Sequence, residues 1–314
     1  MRNLLDSAME AVPPLSYTSI GYGLRSRLGR WRDLPPGALN GKVCVVTGAT
    51  RGLGFATAAA LKELGGTVEI VGRDRERTER AAAKLAEFTA RSAPGVRIAD
   101  VGEIGQMAAL AAELRDAHER IDVLIHNAGA IVTPRAETSD GLEAIWAMMV
   151  AGPHVLTRLL GDRLENGRVI WVTSGGMYTQ RLHLDDVGME QEQFDGVVQY
   201  ARAKRAQVDL VAEYAERGLP APGAVSVAVH PGWAETPGVE ESLPTFNRIM
   251  GPVLRTPEQG SDTAVWLAAT GEPLRDGGLY FDRRPRSVGR LPGTVTSAAD
   301  RDRLWQLAER YLPA

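Results

Sequence analysis

Short runs of apolar residues alternate with longer segments of helical periodicity through most of the chain. Seven runs rich in Val and Ile are typical of strands: 42–46, 67–71, 96–100, 122–127, 168–173, 224–229 and 278–281. Segments with helical spacing lie between them: 53–64, 75–91, 103–119, 138–164, 196–217 and 256–269. This alternation predicts an α/β protein with a doubly wound parallel sheet of seven strands and helices on both faces. The strands are apolar throughout, as expected for strands buried on both sides.

The alternating pattern covers residues 41–282, which we interpret as one domain. Residues 1–40 form an N-terminal arm that is interrupted by proline pairs at 13–14 and 35–36. Residues 283–314 form a tail rich in Arg and Pro, with a short helix expected around 298–311. The tail would cover an edge of the domain or a contact between subunits.

The N-terminal arm contains a candidate amphipathic helix within residues 16–32. Four apolar residues recur there at helical spacing, with four arginines close by: Ile20, Leu24, Leu28 and Trp31, and Arg25, Arg27, Arg30 and Arg32. Such a basic helix could bind a membrane surface or a partner protein. Packing of the arm on its own domain is the favoured alternative, because Gly21 and Gly23 weaken the helix.

Composition excludes several classes of protein. Hydrophobic residues make up 44% of the 314 positions and charged residues 24%, which is ordinary for a folded chain and not for a disordered or fibrous one. The net charge of −3 gives no reason to expect a nucleic-acid partner. The first residues do not fit a signal peptide, and no apolar run is long enough to cross a membrane.

The single cysteine, Cys44, excludes an intrachain disulfide and favours a reducing, cytoplasmic location. It lies in an apolar run, where a buried and unreactive thiol is expected. The five histidines show no metal-ligand spacing, so no metal site is expected.

Residues 47–54 form a glycine-rich loop between the first predicted strand and the first predicted helix. Gly48, Gly52 and Gly54 permit a tight turn and a close approach of the backbone to a ligand. The helix N-terminus that follows would present N–H groups and the positive end of its dipole to a pyrophosphate. Its position in the first β-α-β unit indicates dinucleotide binding.

The end of the second predicted strand indicates which dinucleotide is bound. An acidic side chain there would favour NAD, but this chain has Gly72 followed by Arg73. Arg73 and Arg51 would suit the 2′-phosphate of NADP. Asp74 is a rival candidate for the ribose, although its position favours an N-cap role. We therefore predict NADP(H), with NAD as the less favoured cofactor.

Tyr200 and Lys204 are four residues apart on a predicted helix, so they share one face. A nearby ammonium lowers the pKa of a tyrosine and makes it a better acid-base group. Only four of the 36 basic residues are lysines, which makes a lysine at this spacing informative. Ser174 directly follows the fifth predicted strand.

These motifs, in this order, resemble the short-chain dehydrogenase/reductase family, which implies a Rossmann fold over residues 41–282. The resemblance implies that Tyr200 exchanges a proton with a carbonyl or alcohol oxygen and that Ser174 bonds the same oxygen. It also implies that Lys204 adjusts Tyr200 and holds the nicotinamide ribose. The segments 174–177, 194–196 and 230–238 suggest a closer match to one particular member of the family.

The same resemblance implies the cofactor contacts. They are expected at Gly48, Thr50, Arg51, Gly52, Leu53, Gly54, Arg73, Asp100, Val101, Asn127, Ala128, Gly129, Tyr200, Lys204, Pro231, Gly232 and Thr236. Asp100 and Val101 would meet adenine, and Thr236 the nicotinamide carboxamide.

One position departs from the family pattern. Met149 stands where the family usually has an Asn that links the lysine to solvent through a water. A thioether cannot replace an amide in hydrogen bonding. The departure concerns proton relay and not cofactor binding.

The sequence thus predicts an NADP(H)-dependent oxidoreductase of a small carbonyl or alcohol substrate. Five residues could line a pocket for a lipophilic substrate, although ordinary core packing is favoured for each: Met177, Tyr178, Phe194, Trp233 and Phe246. A nucleotide-binding sensor or scaffold of low turnover is the alternative. The resemblance suggests a homo-oligomer that uses the helices at 138–164 and 196–217.

Overall fold

The structure is a computed structural model that describes Met9, residues 12–89, 92–235, Arg248, residues 250–289 and residues 293–313. The strands are β1 (Val43–Thr47), β2 (Thr67–Gly72), β3 (Gly95–Ile98), β4 (Val123–His126), β5 (Arg168–Val172), β6 (Val225–Val229), β7 (Leu279–Phe281) and β8 (Arg284–Arg286). The α-helices are α1 (Pro13–Tyr17), α2 (Ser19–Gly29), α3 (Gly52–Glu63), α4 (Arg75–Thr89), α5 (Ile104–Ala117), α6 (Ala144–Trp146), α7 (Gly152–Leu159), α8 (Gly196–Glu216), α9 (Pro257–Ala269) and α10 (Ala298–Glu309). A π-helical turn at Ala147–Ala151 joins α6 to α7, and 3-10 turns lie at Gly161–Leu164, Gly175–Thr179 and Gly251–Val253.

The strands of the described part of the chain form one sheet in the order β3-β2-β1-β4-β5-β6-β7-β8. All neighbouring pairs are parallel except β7 and β8. The chain reverses its direction of travel across the sheet between β1 and β4, which places a crevice at the carboxyl ends of these strands. The Rossmann-type fold is confirmed, and this crevice is where a dinucleotide binds in such sheets.

Successive residues of a central strand point to opposite faces of the sheet, and each face carries its own hydrophobic core. Val45 packs with α5, α7 and α8, whereas Cys44 and Val46 pack with α3, α4 and α9. Both faces of the sheet are therefore covered, as the apolar runs indicate. Burial of Cys44 raises its pKa to about 12, so the thiol is protonated at neutral pH, as expected.

The sheet has an eighth strand beyond the seven that the sequence predicts. β8 pairs with β7 through a two-residue turn at Asp282 and Arg283, whose φ angles are 52° and 57°. Two successive positive φ angles form the turn that suits a tight hairpin. Arg283 stands where such a turn usually has Gly, and Pro285 lies inside the strand, so the local sequence does not favour a hairpin. Proline is tolerated there because β8 is an edge strand.

The N-terminal arm packs on its own domain, as favoured. Arg25 of α2 donates to Asp282 over 2.9 Å and to the Ser16 carbonyl over 2.9 Å. Arg255 holds the two oxygens of the same carboxylate at 2.7 and 3.0 Å. All three charged side chains are buried. A buried carboxylate between two guanidiniums joins the arm to the end of β7.

The C-terminal helix α10 packs against α7 and α8. Trp305 meets the Tyr214 ring edge-on at 5.0 Å, and Glu309 accepts from Arg158 over 2.8 Å. Glu309 also pairs with His154, which is fully buried between these helices. The tail thus covers part of the helical face that was a candidate for contacts between subunits.

Across the ranges that the structure describes, none of the helices has the length and apolar character needed to span a bilayer.

Candidate active site

The glycine loop after β1 has the backbone shape that its sequence predicts. Gly48 and Gly52 have φ angles of 66° and 56°, in the region that favours glycine. A Cβ at Gly48 would lie 2.8 Å from the Cα of Ala128, and one at Gly54 would overlap the Gly48 carbonyl. No side chain fits at either place, so the loop presses directly on the start of α3.

Asn127 ties the end of β4 to this loop. Its side-chain amide donates to the carbonyls of Thr47 and Gly48 over 3.0 and 3.2 Å. The backbone N–H groups of Asn127 and Ala128 both donate to the Thr47 hydroxyl at 3.1 Å. Asn127 therefore fixes the loop's geometry, which is a supporting task that the sequence did not specify.

His126, the last residue of β4, is a packed core residue. Its Nε2 lies 2.7 Å from the Thr157 hydroxyl, and its ring lies 4.5 Å from that of Trp171. Burial lowers its pKa to about 3, so the ring is neutral at physiological pH. It cannot serve as a charged group at the site.

Two exposed arginines stand at the far corner of the crevice. A Cβ at Gly72 would lie 2.7 Å from Cγ2 of Thr50, so the glycine loop and the end of β2 are in contact. Arg51 and Arg73 extend from these two segments into solvent. Asp74 accepts from the backbone N–H of Arg77 over 2.8 Å, which confirms its role as a cap of α4.

Asp100 lies beside this corner, after β3. Its Oδ2 is 3.8 Å from Nη1 of Arg73, and its Oδ1 accepts from the Gly102 N–H over 3.0 Å. Val101, next in the chain, is buried, and a Cβ at Gly152 would overlap its carbonyl. The backbone at Asp100 and Val101 is thus held in place by α7.

Ser174 follows β5 and begins the 3-10 turn at Gly175–Thr179. Its hydroxyl accepts from the Gly176 N–H over 3.3 Å and also bonds to the side chain of Tyr200. A Cβ at Gly175 would lie 2.7 Å from Nε2 of His230 and 3.6 Å from the ring of Tyr17. Glycine after Ser174 is therefore required by the packing of β6 and the N-terminal arm.

Tyr200 and Lys204 lie one turn apart on α8, as the spacing predicts. Nζ of Lys204 is 5.5 Å from the centre of the Tyr200 ring and donates to the Val172 carbonyl over 2.7 Å. The Thr173 hydroxyl donates to the Lys204 carbonyl over 2.8 Å. These bonds fix α8 against the end of β5, so Ser174, Tyr200 and Lys204 are brought together.

The pKa values of Tyr200 and Lys204 differ from the expectation that the ammonium lowers the pKa of the tyrosine. Burial lowers the pKa of Lys204 from 10.5 to about 7. Burial also raises the pKa of Tyr200 above 10.0, against a smaller lowering by the hydrogen bond from Ser174. The expected lowering by Lys204 is absent because a lysine with a pKa of about 7 is uncharged at the pH where Tyr200 would ionise. Any acid-base use of Tyr200 depends on what raises the charge of Lys204.

Met149 lies where the family's Asn is expected, inside the π-helical turn. A Cβ at Gly129 would lie 3.1 Å from Cε of Met149 and 3.4 Å from Nζ of Lys204. The methionine is fully buried, and its backbone carbonyl accepts from the side-chain amide of Gln207 over 2.8 Å. The thioether of Met149 thus lies beside Lys204, and the side-chain amide of Gln207 on α8 is hydrogen-bonded to the Met149 carbonyl. π-helical turns are common at functional sites.

The loop after β6 lies against the N-terminal arm. Gly232 has a φ of 82°, and a Cβ there would overlap the side chain of Arg255. The Arg255 guanidinium donates to the carbonyls of Pro231 and Tyr17. Pro231 and Gly232 are thus held by an arginine that also binds the arm.

Leu53 of the glycine loop reaches the same side of the crevice. A Cβ at Gly260 would lie 2.5 Å from Cδ2 of Leu53 and 2.9 Å from Cβ of Ala234. The start of α3 and the loop after β6 therefore meet over α9. Thr236 lies outside the described residues.

The crevice therefore combines a glycine loop at a helix N-terminus with a Ser-Tyr-Lys group at the neighbouring strand ends. Residues 42–245 match the short chain dehydrogenase family. The chain belongs to the short-chain dehydrogenases. Members of this family are oxidoreductases that use a nicotinamide cofactor.

Relatives and a solved structure resemble nearly the whole chain. Human dehydrogenase/reductase SDR family member 12 is 37% identical over 94% of this chain and 93% of its own, which confirms the closer match suggested by the motifs around Ser174 and His230. Human retinol dehydrogenase 14 is 32% identical over 90% of this chain and 89% of its own. An uncharacterised protein from Mycobacterium Paratuberculosis has a crystal structure that superposes with a TM-score of 0.71, at 27% identity over 89% of this chain and 95% of that one.

The cofactor-binding end of this short-chain dehydrogenase fits a dinucleotide on geometric grounds. Gly48 and Gly54 let the loop backbone pack directly on Ala128 and on the start of α3, and α3 begins without a side-chain cap from Arg51. The N-terminus of a twelve-residue helix that follows a tight glycine loop and lacks a side-chain cap suits a pyrophosphate. At the other end, Lys204 and Gly129 could hold the nicotinamide ribose.

The proposed pocket residues divide into two groups. Met177 and Tyr178 are buried in the core. Phe194 and Trp233 are half-buried, and Phe246 lies outside the described residues. The core interpretation that the sequence favoured fits the first two, whereas Phe194 and Trp233 are still candidates for a substrate wall.

Three residues that support the candidate site were not identified from the sequence: Gln207, Tyr17 and Arg255. Gln207 lies seven positions after Tyr200 on the same face of α8, and this polar residue on a buried face was a usable signal. Tyr17 and Arg255 gave no signal, because their partners are distant in the chain. Tyr17 packs edge-on against His230 at 4.7 Å, which joins the arm to the end of β6.

Proposed function

We propose that this short-chain dehydrogenase is an NADP(H)-dependent oxidoreductase that interconverts a carbonyl compound and its alcohol. The observation that best supports this proposal is the group formed by Ser174, Tyr200 and Lys204 at the end of β5. There Ser174 bonds Tyr200, and Lys204 lies below the same ring. A half-buried serine and tyrosine with a buried lysine, in the crevice that also holds the glycine loop, suit proton exchange with an oxygen.

The bound nicotinamide would supply or accept the hydride. In the proposed mechanism, Tyr200 donates its phenolic proton to the carbonyl oxygen in reduction and removes it in oxidation. Ser174 hydrogen-bonds the same oxygen and orients it. Lys204, once charged, stabilises the phenolate and holds the ribose hydroxyls. The Val172 carbonyl keeps the ammonium in place for both tasks.

NADP(H) is the proposed cofactor because Arg51 and Arg73 follow the two segments that meet at the corner where the adenosine ribose would lie. Arg51 and Arg73 are exposed there, and Asp74 is engaged as the cap of α4. A dianionic 2′-phosphate would be bound by both arginines. The acidic residue that would accept from a 2′-hydroxyl of NAD is replaced at the end of β2 by Gly72 and Arg73.

The proposed substrate is a small lipophilic carbonyl or alcohol. Human retinol dehydrogenase 14 is named for a lipophilic alcohol, and Phe194 and Trp233 are half-buried aromatic residues that could contribute to a substrate wall. A cytoplasmic location and a homo-oligomer stay predictions. Because α10 covers part of α7 and α8, we expect contacts between copies to use other surfaces.

The central test is the substitution Tyr200→Phe, which removes only the phenolic oxygen. We expect kcat with NADPH and a panel of aldehydes and ketones to fall by about 10²- to 10⁴-fold. NADPH affinity should stay within about threefold. Ser174→Ala should give a smaller loss in the same direction. Turnover equal to wild type in Tyr200→Phe, on every substrate converted, would contradict the assignment.

A sensor or scaffold of low turnover is the second candidate, and Met149 beside Lys204 is the observation that favours it. Under this alternative, wild-type protein binds NADPH but converts no carbonyl or alcohol of the panel. Measurable turnover that depends on Tyr200 excludes it.

A further inference from the structure

Helix α2 of the N-terminal arm buries Arg25 and turns its large aliphatic side chains outward. Arg25 is 4% exposed, whereas Ile20, Leu24 and Leu28 are 54%, 39% and 38% exposed. The usual arrangement for a surface helix is the reverse.

Two contacts on the inner side fix this orientation. A Cβ at Gly21 would overlap the Ser16 carbonyl, so the helix lies directly against the preceding backbone. The Arg25 guanidinium is bonded to the buried carboxylate of Asp282. The helix therefore cannot turn its apolar side inward without breaking a buried ion pair.

Ile20, Leu24 and Leu28 are four residues apart, so they form one continuous line on the helix surface, which we call the arm ridge. Gly23 lies next to it, and a Cβ there would meet nothing within 4 Å, so this side of α2 is open. Among the described residues, seven large apolar side chains are exposed, and four of them fall in the stretch from Val12 to Leu28. Such clustering marks an interaction surface.

The charges around the arm ridge restrict what can cover it. Arg27 lies on the same side of α2 as the ridge, and Arg30 and Arg32 follow at the end of the helix. All three arginines are exposed. An apolar line bordered by guanidiniums complements a surface that is apolar inside and anionic at its edge.

We propose that the arm ridge docks on a membrane surface that contains anionic lipids. Ile20, Leu24 and Leu28 would enter the boundary between headgroups and acyl chains, while the arginines bind lipid phosphates. A second copy of the chain fits less well, because a two-fold contact through α2 would bring Arg27 and its neighbouring arginines close to their own copies.

The ridge also lies close to the candidate site. Ile20 is three residues from Tyr17, whose ring lies beside Gly175 and hence next to Ser174. Docking would therefore hold the side of the molecule that bears Ser174 near the bilayer. The docking itself requires no turnover, so it can fail or succeed independently of the proposed function.

The test is co-sedimentation of the full chain with two kinds of vesicle, phosphatidylcholine alone and phosphatidylcholine with about a third phosphatidylglycerol. We expect binding to the anionic vesicles to be about tenfold stronger, and to weaken as salt is raised. Leu24→Ser with Leu28→Ser should reduce it about tenfold, and Arg27→Gln about fivefold. The matched control is Phe88→Ser, because Phe88 is 69% exposed but lies on α4.

Several results would overturn the proposal. They are no binding to either vesicle, equal binding to both, or the same loss in Phe88→Ser as in the ridge variant. A wild-type dimer that the ridge substitutions convert to a monomer, without vesicle binding, would instead assign the ridge to a second copy. Unchanged circular dichroism and thermal midpoint of each variant show that a loss of binding is not a loss of fold.

Discussion

The ammonium of Lys204 donates to the carbonyl oxygen of Val172 over 2.7 Å, at the last residue of β5. This bond holds the lysine beneath the Tyr200 ring in a buried setting where its pKa falls to about 7. The charge on which the proposed mechanism depends is therefore only partly present at neutral pH.

The first prediction is that NADPH binding takes up a proton at Lys204. An anionic ligand favours the ammonium, so the pKa of Lys204 rises in the complex and the complex holds more protons than the free protein. With a free-protein pKa of about 7, uptake should grow from about a quarter of a proton at about pH 6.5 to nearly one at about pH 8.5. Calorimetry in buffers of different ionisation enthalpy measures this number.

Lys204→Met is the control for that experiment, because it leaves any proton uptake by the cofactor's own phosphate in place. NADPH affinity of the wild type should fall as pH rises above about 7, and the variant should lack this dependence. Equal proton uptake by both proteins would show that Lys204 does not respond to the cofactor.

The second prediction concerns Met149. Met149→Asn would place an amide beside Lys204 and give the ammonium a polar partner that a thioether cannot provide. We expect kcat to rise about threefold, with a smaller solvent deuterium isotope effect. Met149→Leu keeps the volume and the apolar character, so it should leave kcat unchanged. Identical rates in the Asn and Leu variants would mean that proton relay at this position does not limit turnover.

The third prediction tests the cofactor corner. Arg73→Ser should weaken NADPH binding by about 10- to 100-fold, because a charge-assisted bond to the 2′-phosphate is lost. NADH binding should change by less than about twofold. Arg75→Ser, two residues further on and paired with Glu79, should affect neither cofactor. Tighter binding of NADH than of NADPH by the wild type would refute the role of both Arg51 and Arg73.

The fourth prediction concerns stability. Asp282→Asn would leave the buried guanidiniums of Arg25 and Arg255 without their carboxylate, which should cost about 3–5 kcal/mol in the free energy of unfolding. Glu79→Gln breaks the exposed pair with Arg75 and should cost less than about 1 kcal/mol. Urea unfolding measures both. A similar small loss in the two variants would show that the buried group does not hold the arm.

The local sequence was sufficient for the parts of the site that are built from neighbouring residues. The glycine loop, the cap at Asp74 and the shared face of Tyr200 and Lys204 depend on short spacing, and each is found where predicted. The family resemblance placed Met149 correctly beside the lysine. Short-range patterns were enough because backbone geometry determines these arrangements.

Features that depend on distant partners could not be predicted in the same way. The hairpin of β8 lacks the usual glycine in its turn, and Tyr17 reaches Gly175 only after the arm has docked. Which side of α2 faces the domain could not be predicted for the same reason, because it depends on the bond between Arg25 and Asp282. The pKa of Lys204 was also beyond the sequence, because it depends on burial by the folded chain.

The contact between Arg25 and Asp282 spans 257 positions of the chain. During synthesis, the arm leaves the ribosome long before its carboxylate partner is made. Until then Arg25 lacks its carboxylate partner, and the buried contact that joins the arm to the end of β7 cannot form. The early part of the chain must therefore wait for one of the last strands of the sheet before it can settle against the site.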